Sequence, residues 1–382
     1  MGRVTGEIFD VAVVGGGPAG SSAARVAAES GARTVLIDRA VFPRYKTCGG
    51  GLIGVTLANL PPDLDLPVQQ QVRSATFTLR GGRPVSRETT DPFLTLVDRT
   101  EFDAALLEVA VRRGVTTRLG VAVTGVTQGD DVVTLATADG PVLARAVVGA
   151  DGSASRLGRA VGVQLAQTDL GLEVELGSQI PPEWIGRILI DWGPEPGSYG
   201  WVFAKRQGLT VGVIDSKGRP EATRGYLADF IAGLDLGDLP ERISSGHLTR
   251  CRTPDSPLGD GRILLAGDAA GLLEPWTREG ISYAVRSGAL AGAAAATLAK
   301  SGDPGTVQSA YALQINSTLG REMLAGAAAL RTFERHPGLV HNLLRFNPWA
   351  WRQFVKVAGG QVSVADLLDH PAVRRSAALL RR

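Results

Sequence analysis

The stretch "FDVAVVGGGPAGSSAARVAAESGARTVLIDR", residues 9–39, decides the fold. Val11 to Val14 form a short apolar, β-branched run that reads as a buried strand. Gly15, Gly17 and Gly20 follow with G-x-G-x-x-G spacing, and Ala23, Ala24, Ala27 and Ala28 give the next helix a face small enough to lie close on a sheet. "TVLID" reads as a second strand ending at Asp38. A bound dinucleotide needs this spacing. Gly15 permits the tight turn, Gly17 lets backbone meet a pyrophosphate, and Gly20 lets the helix pack on the strand. The helix start adds free N–H groups and a positive dipole end, and Asp38 accepts from the adenosine ribose. The expectation is an α/β chain opening on a Rossmann-like unit. The motif alone suits NAD and FAD equally.

The rest of the chain bounds the answer. Its 382 residues exceed one simple core and suggest two domains, interleaved. Hydrophobic content of 44% and charged content of 20% fit a globular chain, and a net charge of +2 gives no steering toward nucleic acid. Cys48 and Cys251 are the only cysteines, too few and too far apart for a disulfide framework or a zinc site. No metal centre is expected, and a reduced, cytoplasmic setting is. The start of the chain does not read as a signal peptide, and no run of about 18 apolar residues occurs. His247, His336, His341 and His370 lack metal spacing and read as surface or helix-end residues.

Two further segments separate FAD from NAD. "ILLAGDAAGLLEPWTREGIS", residues 263–282, is a strand ending at Gly267-Asp268, then a turn and a helix starting near Gly280. It resembles the second FAD fingerprint of para-hydroxybenzoate hydroxylase-like flavoproteins. The resemblance implies that Asp268 contacts the ribityl chain, that Pro275 to Gly280 runs beside the flavin ring, and that the helix from Gly280 and Ile281 aims N–H groups at its anionic edge. "AVVGADGSASRLGR", residues 146–159, resembles the Asp-Gly motif of the same group at Asp151, though a strand-end turn with a helix cap reads the same way. Arg99, before a helix starting after Thr100 in "VDRTEFDAALLEVAVRRG", matches an arginine touching the cofactor in that group. Further cofactor contacts implied by the resemblance are Ala19, Arg39, Lys46, Cys48, Gly49, Gly51 and Val123.

The expected FAD-binding domain is discontinuous, 1–65, 96–165 and 251–310. The segments 66–95 and 166–250 are expected to build a substrate domain around an antiparallel sheet, and 311–382 a helical C-terminus broken at Pro337 and Pro348.

"PRYKTCGGGL", residues 43–52, and "YGWVFAK", residues 199–205, resemble two segments of the geranylgeranyl reductase family: a cysteine-glycine run against the flavin and a Tyr-x-Trp-x-Phe-Pro-Lys motif. Ala204 stands where the family has proline. The resemblance implies FAD-dependent saturation of isolated isoprenoid C=C bonds, by a hydride from reduced flavin and a proton. The expected reductant is NAD(P)H visiting transiently or, as an electron-donor protein, a separate reductase or ferredoxin. Gly49, Gly50 and Gly51 would admit the flavin ring. Cys48, with Arg44 and Lys46 upstream, reads as a proton donor, as a gate to one, or as a small residue that fits beside the flavin. Tyr199 and Trp201, on one strand face, would present π-faces to developing positive charge. The rival on the same fold is a flavin monooxygenase or halogenase; a different class is a flavin-fold lipid binder without catalysis. "LLRFNPWAWRQFVKVAGG", residues 343–360, mixes aromatics and cations as a helix lying on a membrane surface does, or as one packed on the core does.

Overall fold

In a computed structural model, which describes residues 7–371 and 373, the strand Ile8–Val14 lies in the middle of a sheet. Val142–Gly149 and Thr34–Asp38 flank it in parallel, with Val11 opposite Ala146 on one side and Thr34 on the other. Ile263–Leu265 and Thr116–Leu119 extend the parallel part, and the antiparallel strands Val123–Gln128, Val133–Thr137 and Gly259–Asp260 complete eight strands. Val11, Ala12 and Val13 are fully buried. Such continuous apolar runs are what a parallel strand covered on both faces requires.

Helix Pro18–Glu29 leaves the glycine turn and packs against helix Ile281–Ser301. Their approach uses the small residues on both. A Cβ on Gly288 would stand 2.1 Å from the Ala19 carbonyl oxygen, and one on Gly292 2.2 Å from that of Ala23. Helix Arg99–Arg112 begins at Arg99 itself, two residues earlier than the sequence suggested, because Asp98 caps it by accepting from the Thr100 N–H.

A second sheet of seven strands runs Glu241–Arg252, Leu165–Leu176, Gly208–Ser216, Tyr199–Lys205, Arg187–Trp192, Ser74–Leu79, Val85–Glu88. Its pairs are antiparallel except Arg187–Trp192 with Ser74–Leu79. That pair joins segments over a hundred residues apart, so no hairpin dictates its direction. Residues 66–95 do not enter this sheet as a block. Val68–Val72 pairs with Leu94–Val97, which also pairs with Gly51–Ile53, in a separate three-stranded sheet.

Helices Pro337–Phe346 and Pro348–Ala358 start at the two prolines, where a missing N–H costs nothing. Trp351 and Phe354 pack against Phe77 and Phe93, while Phe346 is 69% exposed. Among the described residues no helix is long and apolar enough to cross a membrane.

Candidate functional site

The glycine turn closes on itself. Gly15, at φ +106, donates to the Ile37 carbonyl at 2.8 Å, and a Cβ there would overlap the Ala150 carbonyl oxygen at 2.2 Å. Asp38 accepts from the backbone N–H groups of Gly16 (2.5 Å) and Ala40 (2.7 Å), which sets its carboxylate at the mouth of the turn. Arg39 is exposed beside it, and the segment leading to Val123 joins here through the Val121 N–H to the Asp38 carbonyl at 2.9 Å. Gly17 precedes helix Pro18–Glu29 without a side-chain cap, so the first N–H groups of that helix remain available for an anion.

Cations gather next to this turn. Asp103, fully buried, takes both forks of Arg99 at 2.7 and 2.8 Å and pairs with Arg44 at 3.0 Å. Arg44 Nη2 lies 3.7 Å from where a Gly17 Cβ would be, and its buried Nη1 has no partner. Burial works against the charge on Arg99, yet Asp103 and the Cys48 thiol, which its guanidinium also reaches, keep it firmly protonated. Burial, then the neighbouring Arg99, pulls Lys46 below the ordinary ammonium range. Burial would raise Asp268, but His247 at 3.6 Å, with Lys46 and Arg99, holds its carboxyl low. Three cations thus face two carboxylates.

Cys48 is held from the second sheet. Its N–H donates to Glu173 Oε1 at 3.0 Å, and its carbonyl accepts from Lys205 Nζ at 3.3 Å. The lysine of "YGWVFAK" therefore clamps the cysteine loop. The three glycines are shaped first by protein: a Cβ on Gly49 would strike the Phe203 ring at 2.8 Å, one on Gly50 (φ +78) the Val97 carbonyl oxygen at 2.1 Å, and Gly51 meets Leu94 at 3.5 Å. Trp201 lies over Gly212, where a Cβ would intrude to 2.1 Å, and its buried indole N–H, near Gly49, has no partner. Tyr199 lies 5.9 Å from Trp201 between ring centroids. Its hydroxyl donates to the Thr277 carbonyl, and the Arg278 guanidinium stands 5.6 Å from its ring centre. A fixed cation already occupies that ring, so Tyr199 braces a loop here.

That loop is Pro275 to Gly280. Arg278, at φ +55, donates to Asp169 at 3.0 Å and to the Gly197 carbonyl at 2.9 Å. Gly280 caps helix Ile281–Ser301, 3.6 Å from Asp268 measured from an ideal Cβ, and Ile281 is its first residue. Glu279 Oε1 accepts from the Ser282 N–H at 2.7 Å, and its buried Oε2 has no partner. Burial, reinforced by Glu274, pushes the Glu279 carboxyl up to about 7 from 4.5. A raised carboxyl keeps its proton in the fold where the unfolded chain has lost it, so stability falls as pH rises through that interval. Glu279→Gln is expected to melt several degrees above the parent at about pH 8 and with it at about pH 4, by thermal scans of FAD-loaded protein.

The remaining expectations divide. Asp151 accepts from Ser155 and from the Arg156 N–H at 2.7 Å, capping helix Arg156–Val161; Ala150, before it, packs on the glycine turn. His247 lies partly exposed on strand Glu241–Arg252, where it meets Asp268 and, at 3.5 Å, Ser153 Oγ. His341 is buried within helix Pro337–Phe346, which lowers its basicity. Sequence reading passed over Asp103, Asp169, Glu173 and Glu175. The signal was there in "TDLGLEVE", whose acids fall on one strand face.

These features fit FAD: a turn without room for Cβ atoms at Gly15 and Gly20, an unpartnered guanidinium nitrogen beside it, an excess of cations for a diphosphate, and an open helix start. A family model described as an FAD binding domain matches residues 9–178. The chain is 32% identical over 317 residues to digeranylgeranylglycerophospholipid reductase 1 of Methanopyrus kandleri, covering 74% of this chain and 79% of that one. It is 32% identical over 308 residues to a menaquinone reductase of Mycobacterium tuberculosis, covering 74% and 75%. Among solved structures, a geranylgeranyl bacteriochlorophyll reductase-like protein from Thermoplasma acidophilum aligns with a TM-score of 0.79 at 23% identity, covering 95% of this chain and 99% of that one. A flavin-dependent brominase aligns at 0.77 with 18% identity, covering 97% and 100%. The last two likenesses speak to fold alone.

Proposed function

The chain belongs to the geranylgeranyl reductase family of FAD-dependent oxidoreductases, and from that premise we propose that it saturates isolated C=C bonds in the isoprenoid chain of a lipid or prenylated quinone. The observation that carries the reading is the setting of Cys48, a thiol beside Arg99 whose N–H and carbonyl are both gripped by charged side chains of the second sheet.

An isolated alkene is a poor hydride acceptor, so a proton must lead or accompany the hydride. Bound FAD, once reduced by NAD(P)H or a ferredoxin-type donor, supplies the hydride. Cys48 holds the proton at Sγ and releases it to one alkene carbon, forming a C–H bond. The electron pair of the S–H bond stays on sulfur, where the Gly50 N–H at 3.4 Å and the Arg99 guanidinium meet the charge. Solvent protons then restore the thiol. Trp201 lines the same wall and offers its π-face to positive charge building on the alkene. Tyr199 holds the Pro275–Gly280 loop in place through Thr277.

The test is anaerobic: reduce the flavin, add geranylgeranyl diphosphate or a prenylated quinone, and follow flavin reoxidation alongside lipid mass. Two hydrogens gained per turnover, with Cys48→Ala slower by about a hundredfold, is the expected result. Unchanged lipid with rapid reoxidation by oxygen through a hydroperoxide absorbance would transfer the assignment to a monooxygenase or halogenase.

A further inference from the structure

Strand Leu165–Leu176 lies between Gly208–Ser216 and Glu241–Arg252. Side chains alternate faces along a strand, so Asp169, Gly171, Glu173 and Glu175 share one. Alternation of this kind ordinarily means a face in water, yet Asp169 is 4% exposed, Glu173 1% and Glu175 6%. Burying carboxylates is costly unless each is engaged. Asp169 holds Arg278 of the Pro275–Gly280 loop at 3.0 Å. Glu175 faces Lys205 at 3.7 Å and accepts from the Thr210 hydroxyl at 2.9 Å. Glu173 Oε1 takes the Cys48 N–H and, at 3.1 Å, the hydroxyl of Tyr45. Its second oxygen is buried and unpartnered.

We infer that Glu173 is the positioning residue of Cys48, fixing the cysteine peptide through one carboxylate oxygen and governing the charge state of the thiol through its own. The inference rests on the proposed function only in treating Cys48 as the proton donor. Three observations support it. Glu173 and Lys205 bond the N–H and C=O of Cys48 itself with groups of opposite charge. Burial pushes the Glu173 carboxyl above the ordinary carboxylate range, with Lys205 opposing and Glu175 adding to the rise. Tyr45, 39% exposed and also within 3.1 Å of Ser245 Oγ, links Glu173 to the protein surface. The groups facing Glu173 are therefore Tyr45, Lys205 and Glu175; those facing the thiol are Arg99, Lys46 and Tyr199.

Alkylation of Cys48 by iodoacetamide tests this without any prenyl substrate. FAD-loaded parent, Glu173→Gln and Glu173→Ala are compared from about pH 6 to about pH 9, with peptide masses separating Cys48 from the buried Cys251. An anion beside a thiol disfavours the thiolate, so Glu173→Gln is expected to react roughly tenfold faster than the parent at about pH 6 to 7, the ratio shrinking as pH rises and the thiol ionises in both proteins. A side chain that only packs would leave Glu173→Gln like the parent or shift its rate equally at every pH. A ratio below about three throughout, or one independent of pH, overturns the inference. Should Glu173→Ala fail to retain FAD, the isosteric Glu173→Gln decides alone. If the parent leaves prenyl chains untouched while the pH-dependent ratio is present, the proposed function falls and the control of Cys48 by Glu173 stands.

Discussion

Gly20→Ala is expected to yield a protein that no longer retains FAD through gel filtration. The added Cβ would lie 1.7 Å from the Gly15 carbonyl oxygen and 3.4 Å from the Ala150 Cβ. No rotamer relieves a backbone collision, so either the helix backs away or the turn opens. Retreat of helix Pro18–Glu29 is blocked, because Ala19 and Ala23 already touch Gly288 and Gly292 with no spare room. The turn must open, and with it the N–H cradle at Gly17. Overpacking of this kind costs about 1–3 kcal/mol or more, and here it falls on the atoms that grip the cofactor. Gly225→Ala is the control: that glycine lies in helix Pro220–Gly233 with no atom within 4 Å of an added Cβ, and alanine there should stabilise by up to about 1 kcal/mol. The ratio of flavin to protein absorbance reads the result, and parent-level flavin in Gly20→Ala would sink the argument.

Asp103→Leu is expected to destabilise the chain by about 3–5 kcal/mol, the range for removing one partner of a buried ion pair. The carboxylate is fully buried and answers two guanidiniums, with Arg99 itself only 9% exposed. Without it two positive charges face each other across the cleft, close to Lys46. Urea unfolding monitored by far-UV circular dichroism measures the loss. Replacing Arg99 by leucine as well removes one stranded charge and should recover part of it, the non-additivity that a shared network produces. A loss under about 1 kcal/mol would mean that water reaches Arg44 and Arg99 and screens them.

The frame was legible where the chemistry leaves one choice of residue. Gly15 and Gly20 sit where backbone meets backbone and can be nothing larger, whereas a Cβ on Gly17 would meet only Arg44 Nη2 at 3.7 Å. "YGWVFAK" was legible as a strand, and its lysine proved to be the clamp on the cysteine loop. What escaped reading was long-range pairing of polar groups. A strand written Asp169-Leu170-Gly171-Leu172-Glu173-Val174-Glu175 alternates as a half-solvated strand does, and period alone does not distinguish water from a polar cleft. His247 looked isolated because its partner Asp268 comes from the turn that follows strand Ile263–Leu265 of the other sheet. Asp151 had two readings in sequence, and its engagement with Ser155 and Arg156 puts the cap on view. The triple glycine drew attention to a bound ring, yet Phe203 and the Val97 carbonyl already require small residues there.

The contact of Gly288 and Gly292 with Ala19 and Ala23 also sets an order of events during synthesis. The glycine turn leaves the ribosome before the helix that backs it, which lies about 270 residues downstream by sequence position. Ile263–Leu265, a parallel neighbour in the same sheet, is equally late. Contacts so distant along the chain are slow to form, and the early segments expose apolar strand edges while they wait. The nascent chain therefore completes the packing behind its dinucleotide cradle only after residue 292 has emerged, and capture of the cofactor waits on a distant segment.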